Sequence, residues 1–205
     1  MRACLDRAEE RRTTIGPREH PPEPMSGRPS LTIFTIGHST RSLDEFLALL
    51  EQNNIEFLAD VRHFPTSQRV PWATKASLAR ELASRGIGYD HLEDLGGYRK
   101  AREDSVNTAW RSSGFRGYAD HMASAEFEAA LQRLLVLAAE RRTAIMCAEA
   151  VPWRCHRSLL SDVLVARGVR VIHILGPAQT QDHRVAKFAK VHGGRVTYPA
   201  SGKGV

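Results

Sequence analysis

The stretch Thr143-Ala-Ile-Met-Cys147-Ala-Glu-Ala-Val-Pro-Trp-Arg-Cys155-His-Arg157-Ser-Leu-Leu-Ser-Asp-Val-Leu-Val165 decides how the chain is read. Thr143 to Met146 is apolar enough for a buried strand, and from Ser158 onward the apolar positions recur with helical spacing. Between them runs a tight loop carrying two thiols, a carboxylate, an imidazole and two guanidinium groups. The unpaired N–H groups of a helix start point outward with partial positive charge, so a loop that opens a helix is a natural seat for an anionic ligand.

Working outward, strands and helices alternate. Thr32-Ile-Phe-Thr-Ile-Gly37 reads as a strand ending at a glycine, and Ser42 to Leu50 as an amphipathic helix with Ser42 as N-cap and Glu45 completing a capping box. Glu56 to Val61 gives a second strand, and a helix from Lys75 to Ser84 stops at Gly86. Ile87 to Leu92 is a third strand, Glu126 to Arg141 a long helix, Ala144 to Cys147 a fourth strand and Arg170 to Leu175 a fifth. This order predicts an α/β fold: a single Rossmann-like three-layer domain with a mainly parallel five-stranded sheet.

The 205 residues, 42% hydrophobic and 25% charged, suit one compact domain. It is expected over 31–177. Residues 1–30, rich in Arg, Glu and Pro with no apolar core segment, read as a disordered or loosely attached leader and not as a signal peptide. Residues 178–205 read as a basic extension, a peripheral helix followed by a loose tail. Three cysteines, at positions 4, 147 and 155, make no disulfide framework, and no apolar run is long enough for a membrane, so a cytoplasmic location is expected. The net charge of +6 favours an acidic partner, either nucleic acid or a phosphorylated small molecule. No cofactor is expected, because the first strand is not followed by G-x-G-x-x-G.

In open parallel sheets, ligands bind beyond the carboxyl ends of the strands. Four polar clusters fall there: His38-Ser39-Thr-Arg41, Asp60-Val-Arg62, Leu95-Gly-Gly-Tyr98-Arg99 and Cys147-Ala-Glu149. The long excursion from Lys100 to Glu126, with Gly114-Phe-Arg116-Gly-Tyr118, reads as a lid or binding segment.

With Gly37-His-Ser-Thr40, Asp60-Val-Arg62, Leu95-Gly-Gly97, Phe115-Arg-Gly-Tyr118, Cys147-Ala-Glu149 and Cys155-His-Arg157 in this order, the chain resembles the domain family of unknown function numbered 488 (DUF488) from about Leu31 to Leu175. The resemblance implies a Rossmann-like fold and a shared polar site, and no common reaction. Two departures stand out. Tyr98 separates the glycine pair from Arg99, and Gln68 stands ahead of Arg69 where two arginines are expected.

The candidate catalytic groups are His38, Asp60, Cys147 and Glu149. Asp60 and Glu149 suit acid–base work, or Asp60 pairs with Arg62, Arg99 or Arg157 in a buried ion network. Cys147 is a nucleophile activated by the helix start and a following arginine, or a buried structural thiol. His38 donates to phosphate or moves protons, or merely satisfies a strand-end carbonyl. The candidate binding residues are Ser39, Arg62, Lys75, Tyr98, Arg99, Arg116, Tyr118, Cys155, His156 and Arg157: cations for phosphate oxygens and flat rings for an unstacked base. The Cys147, Cys155 and His156 spacing fits no standard zinc knuckle, so no metal is expected. The leading expectation is a nucleic-acid-associated hydrolase or lyase acting on a base or phosphodiester, as in repair. The alternatives are a non-catalytic nucleic-acid-binding or regulatory domain and a small phosphate- or thiol-transfer enzyme using Cys147.

Overall fold

A computed structural model describes residues 31–67 and 69–200 of the chain; the expected loose leader, Gln68 and the final five residues lie outside the described residues. The five expected strands form in place as β1 (Thr32–Gly37), β2 (Phe57–Asp60), β3 (Gly88–His91), β4 (Thr143–Cys147) and β5 (Arg170–Gly176). They are mutually parallel wherever they pair, and a sixth strand, β6 (Gln179–Asp182), runs antiparallel along β5. The order is β3-β2-β4-β1-β5-β6. The mainly parallel reading holds, with one strand more than expected.

Among the described residues, five α-helices cover the sheet. α1 (Leu43–Gln52) and α2 (Lys75–Ala83) bury Phe46, Leu50, Leu78 and Leu82 against Phe34, Leu58, Ala144 and Met146 on one face. α3 (Ser113–His121), α4 (Ala125–Glu140) and α5 (Arg157–Ala166) bury Tyr118, Phe127, Leu131 and Leu160 against Ile33, Ala59, Ile145 and Cys147 on the other. Successive residues of β4 thus alternate between the two clusters, as period-two geometry requires of a strand covered on both sides. The capping box at Ser42 is present, with the Glu45 N–H donating to the Ser42 hydroxyl (3.2 Å) and the Ser42 N–H donating to the Glu45 carboxylate (2.8 Å). At Gly86 the backbone turns left-handed (φ 72°) and the chain enters β3.

The segment after Ala178 departs from expectation. No peripheral helix forms there; β6 is followed by a hairpin of β7 (Lys190–His192) and β8 (Arg195–Thr197). The alternation Gln179-Thr-Gln-Asp is polar on both sides because β6 is an exposed edge, so it carries little of the apolar signal by which strands are recognised. The segment is nonetheless tied to the core. Tyr198 is fully buried, its hydroxyl donates to Asp162 Oδ2 (2.8 Å), and its N–H donates to Asn107 Oδ1 (2.9 Å).

Tyr198→Phe should therefore cost about 1–3 kcal/mol, the price of leaving a buried carboxylate oxygen one donor short. Urea unfolding of the two proteins at pH 7 checks this; equal midpoints would show that the segment after β5 does not hold the core.

Candidate functional site

The winding direction reverses at β1, where the chain has passed outward through β2 and β3 and returns to insert β4 between β2 and β1. Beyond these carboxyl ends the ladder continues for one more step. The N–H groups of His38, Ser39 and Val61 donate to the carbonyls of Cys147 (3.0 Å), Ala148 (2.8 Å) and Met146 (2.9 Å). Gly37 is needed here, because a Cβ on it would lie 1.8 Å from the Glu149 carbonyl oxygen. The loop after β4 thus crosses directly over the end of β1.

A cavity of about 490 Å³ opens at this point. His38, Arg62, Tyr98, Cys147, Glu149, Cys155 and His156 all line it, so residues from four separate stretches of sequence meet as expected. A larger cavity of about 580 Å³ lies between residues 102–107, α3, α4 and β8, but its charges are largely spent on one another: Arg102 pairs with Asp104 (2.8 Å) and Arg167 with Glu128 (2.6 Å). The strand-end cavity is the candidate site.

Asp60 is fully buried beneath it. Arg62 donates to its carboxylate from Nε (2.8 Å) and Nη2 (2.5 Å), and the Tyr89 hydroxyl donates to Oδ2 (2.8 Å). The buried ion pair is thus the arrangement found, and Asp60 aims Arg62 instead of facing a ligand. Burial works against the Arg62 charge, but the bonds to Asp60 outweigh it and raise its pKa. The remaining nitrogen, Nη1, lies 3.4 Å from His38 Nε2. His38 Nδ1 donates to the Ser39 carbonyl (3.0 Å), which leaves Nε2 as the acceptor for Arg62. Burial and then the Arg62 charge lower the His38 pKa, so its ring is neutral near pH 7.

The floor holds the two thiols. His156 Nε2 donates to the Val61 carbonyl (3.0 Å), so in the neutral ring Nδ1 carries the lone pair, and it faces Cys155 Sγ at 3.7 Å and Cys147 Sγ at 3.9 Å. Tyr118, fully buried, braces the imidazole at 4.9 Å between ring centroids and donates its hydroxyl to the Leu95 carbonyl. The Arg157 N–H, at the start of α5, donates to Cys155 Sγ (3.5 Å). The hydrogen bond between the thiols holds Cys155 well below the ordinary thiol pKa, with His156 and Arg157 adding to it, while the same bond and burial push Cys147 up. Of the two thiols, Cys155 is the one that the N–H at the start of α5 reaches, whereas Cys147 lies at the end of β4.

Five other candidates lie outside this cavity. Arg157 is 1% exposed; its Nη2 donates to the Glu149 carbonyl and its Nη1 reaches Thr35 Oγ1 (3.5 Å), so it holds the loop in place from beneath. Arg99 turns back to donate to the carbonyls of Gly96 and Glu93 (both 3.1 Å). Arg116 donates to the Trp110 carbonyl (3.0 Å), Lys75 approaches His91 Nδ1 (3.5 Å) on the far side of β3, and Ser39 uses its backbone in the ladder beyond β1. The cavity instead recruits His63, Phe64 and Arg154. Helical phase distinguishes Arg154 from Arg157: position 157 shares the buried stripe of Leu160, Ser161 and Leu164, whereas Arg154 precedes α5 and is exposed.

A buried chain of polar groups stands behind Arg157. Thr35 donates to His173 Nδ1 (2.7 Å), His173 Nε2 donates to His183 Nδ1 (2.9 Å), and His183 Nε2 donates to Asp162 Oδ1 (2.7 Å). His173, read from sequence as structural, is opposite Thr35 in the β1–β5 register. Neither His183 nor Asp162 is in a motif, and only the fold brings them together.

An α/β domain of this topology, with a thiol- and imidazole-floored site beyond its central strands, is the class to which the chain is assigned. Residues 42–164 match the family model described as domain of unknown function DUF488, and the chain belongs to that family. No curated protein and no solved structure matches it. Among the described residues, no helix is long and apolar enough to cross a membrane.

Burial first, and then the neighbouring His183 and Arg157, lower the His173 pKa to about 3. A folded value below the ordinary 6.5 means that the unfolded chain binds the extra proton first, so stability is complete above pH 6.5 and is lost as pH falls toward 3. Between pH 7 and 5 this group alone should remove about 2 kcal/mol. Chemical denaturation of wild type and His173→Gln at both pH values is expected to show a smaller loss in the variant; parallel losses would contradict the neutral chain.

Proposed function

We propose that the strand-end cavity is the active site of a nucleic-acid-associated enzyme of the hydrolase type, acting on a base or phosphodiester that has been drawn out of a stack. The observation that carries this reading is the juxtaposition of an aromatic lip with a charged interior. Phe64 and Tyr98 are 60% and 85% exposed at the mouth, with ring centroids 5.7 Å apart. Unpaired bases rest on surfaces of this kind. Tyr98 holds a left-handed backbone (φ 59°), which a non-glycine residue adopts only where its surroundings enforce it.

Inside, Arg62 is a preformed cation aimed by Asp60, and exposed Arg154 adds a second to the lining. These suit phosphate oxygens. Glu149 is an exposed carboxylate facing the same cavity and is assigned as the group that takes a proton from water. His38, neutral and oriented by Ser39 and Arg62, positions the reacting group. Asp60 and Arg157 act through Arg62 and the Glu149 loop respectively.

The thiol-transfer alternative is favoured by one observation, the approach of His156 Nδ1 (3.7 Å) and the Arg157 N–H (3.5 Å) to Cys155 Sγ. In that reading Cys155 replaces Cys147 as the nucleophile.

Fluorescence anisotropy with a short labelled single strand tests the proposal. Affinity should fall steeply with salt, and Arg154→Ala should reduce the logarithmic salt slope by about one. Tyr98→Ala should cost about 1–3 kcal/mol of binding, and Glu149→Gln should bind normally while turnover of the same strand is lost. Binding that is absent or indifferent to salt would reject the nucleic-acid reading. Turnover that survives Glu149→Gln but not Cys155→Ser would replace it with the thiol enzyme.

A further inference from the structure

We propose that Cys147, Cys155 and His156 bind one zinc ion whose fourth coordination position opens into the strand-end cavity. The three ligand atoms, two Sγ and one Nδ1, all lie within 4.8 Å of one another. They form the one such group of three or more His, Cys, Asp or Glu ligands among the described residues.

The separations fit the ion closely. With Zn–S near 2.3 Å and Zn–N near 2.05 Å, a tetrahedron has S···N edges of about 3.6 Å. The structure holds Nδ1 at 3.7 Å from Cys155 Sγ and 3.9 Å from Cys147 Sγ, both within a few tenths of an ångström of that edge. Spacing along the chain argued against a metal because it tests for two knuckles of the Cys-x-x-Cys type. Here the strand end and the helix start supply the ligands instead, and the loop between them does the folding back that a knuckle does elsewhere.

The surroundings are those of a ligand set. A metal-bound imidazole needs its other nitrogen anchored, which fixes the tautomer and the ring plane. The Val61 carbonyl does this for Nε2. Tyr118 packs against the ring, and Gly97 leaves space in front of it: a Cβ there would stand 3.0 Å from Nδ1 itself. The Arg157 N–H donates to Cys155 Sγ, a bond that stabilises a sulfur carrying negative charge. Two thiolates and one imidazole are borderline-soft donors, a set that suits zinc over the hard oxygen-seeking cations.

All three ligands line the cavity, as does the Glu149 carboxylate two residues beyond Cys147. Three protein ligands with an open fourth position characterise catalytic zinc, in contrast to the closed four-ligand structural sites. A water held there would share the cavity with Glu149, the pairing on which zinc-dependent hydrolysis relies. The site goes beyond the nucleic-acid reading, and metal uptake is measured with no substrate present, so the two succeed or fail separately.

The full chain, reduced and stripped with a chelator, is titrated with zinc against a chromophoric chelator and separately with cobalt(II). The expected result is one equivalent of zinc per chain, and a cobalt complex with intense near-ultraviolet thiolate charge-transfer bands and tetrahedral visible bands. Cys147→Ser, Cys155→Ser and His156→Gln should each lower zinc affinity at least 100-fold, with Cys4→Ser, which changes the remaining cysteine, unaffected. Saturation without one equivalent bound, a cobalt spectrum lacking thiolate bands, or an undiminished signal in Cys155→Ser would overturn the proposal. The wild-type cobalt spectrum decides even where a cysteine variant fails to fold.

Discussion

A guanidinium that has no carboxylate beside it among the described residues sits at the junction of β1, β4 and α5, and the arrangement of the site depends on it. Arg157 is 1% exposed, and its bonds go to the Glu149 carbonyl and Thr35 rather than to an acid. Taking an unpaired charge out of water costs several kcal/mol, so its surroundings must compensate. They do so with dipoles and a neighbouring thiol. Thr35, His173, His183 and Asp162 form a chain in which every donor points away from Arg157, ending on a carboxylate. On the other side, Cys155 has its pKa lowered in part by the same guanidinium. One buried cation thus fixes the loop that carries Glu149 and favours the ionised form of a sulfur at the cavity floor.

This constraint explains why the cavity is built from main chain as much as from side chains. The carbonyls of Glu149, Val61, Ser39 and Leu95 each receive a bond that orients a functional or supporting group. Gly37 and Gly97 are places where a methyl group would collide with the Glu149 carbonyl and the His156 ring. The site is therefore rigid at its floor and open at its aromatic lip. That combination suits a pocket which receives a flat group and holds its reactive atom near fixed chemistry.

Much of this was legible in the sequence. The five parallel strands, the capping box at Ser42 and the stop at Gly86 follow from periodicity and local chemistry, because buried strands and capped helices leave strong patterns. The convergence of His38, Arg62, Tyr98 and Cys147 follows from the rule that polar residues at strand ends face one rim. What the sequence could not show was direction. Arg99 follows Tyr98 by one residue, yet the left-handed turn at Tyr98 sends that ring to the mouth and Arg99 back onto Glu93 and Gly96. Arg157 looked like an anion ligand, although its helical phase with Leu160 and Leu164 already marked it as buried. The β6 edge and the hairpin after it carried too little apolar patterning to be separated from a tail, and the Asp162–His183 contact depends on long-range packing that no local signal records.

The central claim is that ligand recognition takes place at the carboxyl ends of β1, β2 and β4, and hydrogen exchange in the presence of a short single-stranded oligonucleotide tests it most directly. Added protection is expected in residues 62–67, 96–99 and 147–156 and not in the β7–β8 hairpin. Protection centred on the hairpin, or on the larger cavity beside α4, with residues 147–156 unchanged would contradict it.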